Sequence, residues 1–282
     1  RPVLRSEDGE IILYGISREG PGLQVHRISD SDEPEPLHIS RLVTIRGFVS
    51  DAHPVVLTKG GTVFELTRNG PGPQIRTPSG FPGRQCGAAP TPEGMVLAWL
   101  PSGGKGIRVS TVVPARTPEI DVLLPKKSIG TLQLISDGGV AWAAFSQEGS
   151  SPGEASSAWA VCLPDGKPFP VIQDDRDVSE VSLTPTGSGP LCTVIFLDGT
   201  VKVWGIPEGG ITENITEPLV DLVGHQRKTT HAEFHPTAQH VLATTSADYL
   251  VKIWDIEKGE EKCPFDELLQ RPPREKCRIF FF

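Results

Sequence analysis

Two residue pairs and two single residues near the C-terminal end constrain the fold of this chain more than any other feature. Gly224-His225 precedes Ser246 and Asp248, and Trp254-Asp255 follows them. In a sheet of four short antiparallel strands, this spacing places His225 before the first strand, Ser246 at the end of the second and Trp254 in the third. We predict that the Asp248 carboxylate, in the tight turn after Ser246, accepts a hydrogen bond from the His225 imidazole. The Ser246 hydroxyl is predicted to connect this imidazole to the Trp254 indole N–H, which makes the network structural.

The same unit recurs along the chain. Leu197–Trp204 and Ala247–Trp254 are two copies of one sequence, 50 residues apart, with an aspartate six residues before each tryptophan. Weaker copies extend the series, and six positions, with Tyr14 in the tryptophan slot of the first unit, mark it: Tyr14, Leu66, Ser110, Cys162, Trp204 and Trp254. The intervals between these markers range from 42 to 52 residues. They lie close to the period of about 40 to 50 residues that is typical of propeller repeats.

Short turn motifs occur in the middle of the repeats. Each precedes an apolar run and is predicted to join the first two strands of a sheet: Thr91–Gly94, Ser136–Gly138, Thr184–Gly187 and His235–Ala238. Pro fixes φ and Gly supplies a positive φ, as hairpin turns require. The chain has 30 Gly and 27 Pro among 282 residues, which suits many short strands joined by tight turns.

Repeats of this length and punctuation are typical of WD-repeat β-propellers. We therefore predict an all-β fold, a β-propeller of four-stranded antiparallel blades with six or seven blades. Residues 1–282 are predicted to form a single propeller domain, in which residues 163–204 and 205–254 are the best-defined units.

The two ends of the chain are predicted to close the ring. The N-terminal unit is expected to begin at its last strands, and the residues after Trp254 are too few for another complete blade. A strand at Glu10–Ile16 and a strand near Cys277–Phe282 would then share one blade and leave no open edge. The alternative is a truncated ring whose remaining blade lies outside the sequence.

Composition and charge exclude several classes of function. The net charge of −8, without a cluster of Lys and Arg, argues against nucleic acid as the partner. No apolar run is long enough to cross a bilayer, so no transmembrane segment is predicted. The five cysteines are scattered and lack Cys-x-x-Cys spacing, which predicts reduced thiols in a cytoplasmic protein.

His231, His235 and His240 lie close in sequence, but Pro236 marks a turn between them. We therefore predict neither a metal site nor a cofactor.

The region over residues 201–258 resembles the coronin family. The resemblance is carried by five segments in chain order: Val203–Gly210, which reads Val-Trp-Gly-Ile-Pro-Glu-Gly-Gly, Thr216–Leu219, Gly224–Lys228, His235–Ala238 and Trp254-Asp255. It covers about a fifth of the chain. The resemblance implies a cytoplasmic propeller scaffold of the actin cortex or of membrane traffic, associated with the cytoskeleton or peripheral on vesicles.

The function that we predict is a non-catalytic scaffold that binds other proteins, with F-actin or an actin-regulatory complex as the partner that the resemblance implies. Arg227 and Lys228 follow the His225 turn and could contact an acidic protein surface, although exposed basic residues are often simply solvated. One alternative is a WD-repeat subunit of a larger complex unrelated to actin. Another is an enzyme that uses the central funnel of the propeller, but no catalytic residue is predicted because blade construction accounts for the identifiable polar residues.

Overall fold

The computed structural model describes residues 3–7, 10–16, 23–27, 35–36, 45–50, 53–67, 70–82, 85–101, 106–112, 119–123, 129–147, 157–163, 169–172, 174, 176–207, 213–235, 238 and 240–265. These residues form antiparallel strands, and none of them belongs to a helix long and apolar enough to span a membrane.

The strands of the described residues form six sheets in chain order. Sheet 1 contains β1 (Val3–Glu7), β2 (Glu10–Ile16), β3 (Leu23–Arg27) and β4 (Glu35–Pro36); sheet 2 contains β5 (Ile45–Phe48), β6 (Val55–Thr58), β7 (Thr62–Thr67), β8 (Gly70–Pro71) and β9 (Ile75–Arg76); sheet 3 contains β10 (Cys86–Thr91), β11 (Gly94–Trp99), β12 (Gly106–Val112) and β13 (Glu119–Leu123); sheet 4 contains β14 (Ile129–Asp137), β15 (Val140–Gln147), β16 (Ser157–Leu163) and β17 (Phe169–Ile172); sheet 5 contains β18 (Val178–Thr184), β19 (Leu191–Phe196), β20 (Val201–Gly205) and β21 (Val220–Leu222); sheet 6 contains β22 (Thr229–Phe234), β23 (Val241–Ser246), β24 (Val251–Asp255) and β25 (Glu260–Phe265).

Each sheet is an up-and-down series in which neighbouring strands are consecutive in sequence. Sheet 2 departs from this order because β8 and β9 both pair with β7 and together occupy the fourth position. The predicted all-β fold of four-stranded antiparallel blades is confirmed. The predicted turns also lie between the first and second strands of sheets 3 to 6.

The second strand of each central sheet is buried on both faces. In β15, every residue from Ala141 to Gln147 is buried, and in β19 the same holds from Cys192 to Phe196. A sheet that is packed on one face only would alternate buried and exposed side chains, because successive residues of a strand point to opposite faces. Continuous burial therefore requires a neighbouring sheet on each side.

Four hydrophobic clusters supply these neighbours, and each combines side chains from two consecutive sheets. From sheet 2 to sheet 6, the successive clusters include Leu57 and Trp99, Val96 and Phe145, Trp142 and Phe196, and Val203 and Phe234. Sheets 2 to 6 thus stack face to face in chain order, as blades of a propeller do.

The sequence repeat is offset from the sheet by one strand. The predicted unit 163–204 contains the last strand of sheet 4 and the first three of sheet 5, and the unit 205–254 is offset in the same way. Each repeat therefore crosses from one sheet to the next.

The assignment of Tyr14 to the tryptophan slot is wrong. The other five markers lie in third strands, whereas Tyr14 lies in β2, the second strand of sheet 1, where it pairs with Val3. The turn-and-apolar pattern around Asp8-Gly9 fits any hairpin, so it does not distinguish the first turn of a sheet from the second.

This correction also affects the predicted ring closure. All four strands of sheet 1 come from residues 3–36, so the N-terminal unit does not begin at its last strands, and Glu10–Ile16 already has a strand on each side. The strand predicted near Cys277–Phe282 lies outside the described residues.

Polar contacts join sheet 5 to both of its neighbours. At one end, the Asp137 carboxylate of sheet 4 accepts hydrogen bonds from the backbone N–H groups of Gly187 and Gly189, the latter at 2.9 Å. At the other end, the Thr229 hydroxyl of sheet 6 donates to the carbonyl oxygen of Gly199 at 2.6 Å. A Cβ atom on Gly199 would lie 2.5 Å from the carbonyl oxygen of Arg227, so this interface requires glycine.

We expect Gly199→Ala to lower the free energy of unfolding by more than Gly187→Ala. Both glycines have positive φ, +97° and +91°, so each substitution carries a backbone cost of roughly 1–2 kcal/mol. At Gly187 the new methyl group meets no atom within 4 Å, whereas at Gly199 it meets the Arg227 carbonyl and adds about 1–3 kcal/mol. Urea unfolding of the two variants measures the difference. Equal losses would contradict the close contact between sheets 5 and 6.

Candidate functional site

The His225 and Asp248 side chains pair at one end of sheet 6. His225 Nδ1 lies 3.0 Å from Asp248 Oδ2, and the two side chains are 2% and 7% exposed. The backbone N–H groups of Gln226 and Leu250 also donate to this carboxylate, at 2.9 and 3.0 Å. Because an ionised carboxylate only accepts hydrogen bonds, His225 carries its proton on Nδ1.

Thr244 completes the network. Its Oγ1 lies 2.7 Å from His225 Nε2, and the indole N–H of Trp254 donates to the same oxygen at 2.8 Å. With the imidazole proton on Nδ1, Nε2 accepts from the Thr244 hydroxyl. The donors therefore run in one direction, from Trp254 through Thr244 and His225 to Asp248.

The prediction that Ser246 links the imidazole to the indole is wrong. Ser246 Oγ instead donates to the Arg227 carbonyl at 3.0 Å and accepts from the Asp248 backbone N–H at 3.2 Å. The reason is strand register: Trp254 pairs with Leu242, so Thr244 is two residues along the strand and Ser246 is four. At about 3.3 Å per residue, only Thr244 is within reach. Sequence reasoning missed it because residues 244 and 246 share a face of β23, and the register alone distinguishes them.

Burial and hydrogen bonding fix the charges of the pair. Burial lowers the pKa of His225 and outweighs the opposing effect of Asp248, so the imidazole is neutral near pH 7. Burial raises the pKa of Asp248, but the hydrogen bonds from Leu250, Gln226 and His225 bring it below its ordinary value. The arrangement is a neutral imidazole bound to a carboxylate.

Sheet 5 lacks the hydroxyl of this network. At an offset of 50 residues, Val194 stands where Thr244 stands in sheet 6, and Trp204 corresponds to Trp254. The indole Nε1 of Trp204 is buried and has no hydrogen-bond partner among the described residues.

Charged side chains occupy the same end of sheet 5. Arg176 donates from Nε and Nη2 to the two carboxylate oxygens of Asp174, at 2.9 and 2.8 Å, and its Nη1 lies 3.5 Å from Asp198. Its guanidinium lies 4.5 Å from the centre of the Phe196 ring, and Lys202 Nζ lies 3.1 Å from Asp174. The hydrogen bond from Arg176 holds the pKa of Asp174 far below its usual range. Sheet 5 thus keeps the turn aspartate, Asp198, but pairs it with a cation.

The two predicted partner-binding residues, Arg227 and Lys228, are exposed. Their backbone is held in place, because the Arg227 carbonyl accepts from Ser246 and the Lys228 carbonyl accepts from the Ala247 N–H at 2.9 Å. Neither side chain has an ion-pair partner within the described part of the chain. They are cations on a fixed loop.

The three clustered histidines have separate environments. His231 is buried, with Nε2 at 3.2 Å from Glu233 and Nδ1 at 3.8 Å from Glu180 of sheet 5. Burial lowers the pKa of His231, but the two glutamates outweigh this effect and the pKa is raised. His235 Nδ1 accepts from the Ala238 backbone N–H at 3.1 Å. Among the described residues, no group of three His, Cys, Asp or Glu side chains is arranged to hold a metal ion.

Comparison with known proteins identifies relatives for part of the chain. No protein-family model matches. The chain is 34% identical over 100 residues to Coronin-7 of Homo sapiens, which covers 36% of this chain and 11% of that protein. It is 41% identical over 63 residues to Coronin-2A of Homo sapiens, covering 22% and 12% of the two chains. It is 42% identical over 65 residues to the Coronin-like protein crn1 of Schizosaccharomyces pombe, covering 22% and 11%.

These alignments span about a tenth of the length of each relative. They confirm the predicted similarity to coronins. Among solved structures, Sqt1 of Saccharomyces cerevisiae aligns with a TM-score of 0.48 at 15% identity, over 78% of this chain and 61% of that chain.

We expect Thr244→Val to lower the free energy of unfolding by roughly 1–3 kcal/mol, because it leaves the buried Trp254 N–H and His225 Nε2 without a partner. Thr193→Val is the matched control in the neighbouring sheet. The Thr193 hydroxyl is buried without a partner among the described residues, so its replacement by a methyl group should be neutral or stabilising. Thermal and urea unfolding measure both variants, and similar effects at the two positions would contradict the network.

We expect His231→Gln to be most destabilising at acidic pH. The folded pKa of His231 lies above its unfolded value of about 6.5. Its stabilising contribution is therefore fully present below pH 6.5 and is lost as the pH rises through the folded pKa. The difference in unfolding free energy between wild type and variant, measured by urea titration at each pH, should shrink as the pH rises. A difference that stays flat or widens would show that the glutamates do not act on this imidazole.

Proposed function

We propose that this coronin-like WD-repeat protein is a non-catalytic scaffold that binds other proteins, with actin filaments or an actin-regulatory assembly as its partner. The observation that carries the proposal is the identity of 34–42% to coronins in the aligned segments. Under this proposal residues 1–282 form one propeller domain, and the protein acts in the cytoplasm, on the cytoskeleton or at the surface of vesicles.

The chemistry of the described side chains supports a non-catalytic role. A general base must reach a substrate proton, but both ring nitrogens of His225 are engaged and the side chain is buried. Burial raises the pKa of the Cys86 thiol and raises that of Cys192 to about 12, so both are protonated near pH 7. A protonated, buried thiol is a poor nucleophile. His225, Cys86 and Cys192 therefore act as structural residues of the sheets.

Arg227 and Lys228 are the contact residues in this proposal. They are exposed cations in a chain whose net charge is −8, so they would orient an acidic partner locally while the overall charge keeps the protein soluble. Their fixed backbone reduces the entropy lost when a partner binds.

Co-sedimentation with filamentous actin tests the proposal. We expect the wild-type protein to pellet with filaments and Arg227→Glu/Lys228→Glu to pellet less, with a weaker salt dependence because two attractive charges are lost. The matched control is Arg76→Glu/Lys258→Glu, which makes the same charge change at exposed positions elsewhere.

Absence of wild-type pelleting at micromolar filament concentration would remove actin as the partner. Equal losses in the two double variants would instead contradict the role assigned to Arg227 and Lys228.

A further inference from the structure

Tyr249 has a backbone conformation that tyrosine disfavours. It lies in the turn between β23 and β24 with φ +68°, and it is the one non-glycine residue with positive φ among those described. The corresponding position of sheet 5, 50 residues earlier, is Gly199, with φ +97°. Glycine adopts this conformation freely, whereas a bulky side chain makes it costly.

Among the described residues, the Tyr249 side chain has no polar partner that would offset this cost. Tyr249 is 43% exposed, and its hydroxyl makes no hydrogen bond with the residues that the structure describes. Residues held in such strained conformations cluster at active sites and ligand-binding sites. The observed strain therefore points to a function outside the fold.

Two further exposed apolar residues lie at the same end of the sheets. Val223, 74% exposed, lies in the loop from β21 to β22, and Leu197 lies in the turn between β19 and β20. In an up-and-down sheet, the connection between the second and third strands and the one to the next sheet lie at the same end. Leu219, by contrast, is exposed at the opposite end of sheet 5.

The segment Arg227-Lys228 lies between the two turns. The Arg227 carbonyl accepts from Ser246, the residue before the Tyr249 turn, and it approaches Gly199 of the sheet 5 turn. The Lys228 carbonyl accepts from Ala247. We call the resulting patch the Tyr249 surface; its residues are Leu197, Val223, Arg227, Lys228 and Tyr249.

We propose that the Tyr249 surface is a docking site for an acidic peptide segment of a partner protein, one that presents an apolar side chain between carboxylates. Tyrosine offers a rigid apolar face and a polar tip, a combination enriched among the residues that contribute most to binding. Arg227 and Lys228 provide the positive charge that carboxylates complement. The inference rests on the proposed scaffold function, but it holds whether or not the partner is actin.

The test separates the aromatic side chain from the fold. Tyr249→Gly removes the side chain and relieves the positive φ, so we expect a melting temperature equal to or above that of the wild type. Tyr249→Asn is a second variant that tolerates the same φ. Leu219→Ser is the matched control, because it removes an exposed apolar side chain from the opposite end.

The probe is a short synthetic peptide with a central leucine between glutamates, titrated by two-dimensional NMR against the full chain. We expect the wild type and Leu219→Ser to bind it alike and both Tyr249 variants to bind it about tenfold more weakly. The wild type should bind a peptide with lysines in place of the glutamates, or with serine in place of the leucine, no more tightly than the Tyr249 variants bind the original peptide.

Filament co-sedimentation of the same proteins separates the two proposals. Peptide binding that Tyr249→Gly weakens, without any filament binding, would sustain this surface and remove actin. Filament binding without peptide binding, or peptide binding that both Tyr249 variants retain, would overturn the inference while leaving the scaffold proposal in place.

Discussion

Burial of both faces of each central sheet is the constraint on which the rest of the structure depends. The second strands β15 and β19 carry continuous runs of buried residues, which water would contact on one side if either neighbouring sheet were absent. The hydrophobic clusters lie between sheets, so a single sheet has no core of its own. Stability in such an array comes from the intrinsic stability of each repeat and from the interface with its neighbours.

Polar side chains bind the turns at one end of the sheets, and sheets 5 and 6 use different side chains for this. Sheet 6 has a chain of hydrogen bonds that passes through a neutral imidazole and ends on the Asp248 carboxylate, whereas sheet 5 pairs its turn aspartate, Asp198, with Arg176. Each choice satisfies a turn aspartate near the same end of its sheet. Both arrangements hold the loops at that end of the sheets in place, and Tyr249, Arg227 and Lys228 are exposed on these loops.

Much of this fold could be predicted from the sequence because its repeats depend on local signals. The 50-residue offset between Trp204 and Trp254 and the Pro and Gly turns indicate strand order without any knowledge of distant contacts. The predicted N-terminal repeat differs from the observed one by one strand, because a single hairpin signature does not say which hairpin of a sheet it belongs to. The pairing of His225 with Asp248 follows from spacing, but the choice of Thr244 over Ser246 depends on strand register. In sheet 5, Arg176 takes the place of the histidine as the partner of the turn aspartate, and its position over the Phe196 ring is a tertiary contact that spacing does not reveal.

Hydrogen exchange in the central strands measures most directly whether the sheets are stable only as a stack. The amides of Thr193–Ile195 in β19 and of Ala243–Thr245 in β23 should exchange through one shared opening with the same free energy, because the cluster between sheets 5 and 6 is lost when either sheet opens. Exchange of the β23 amides through an opening that leaves the β19 amides protected would show that sheet 6 opens alone, and it would contradict the account.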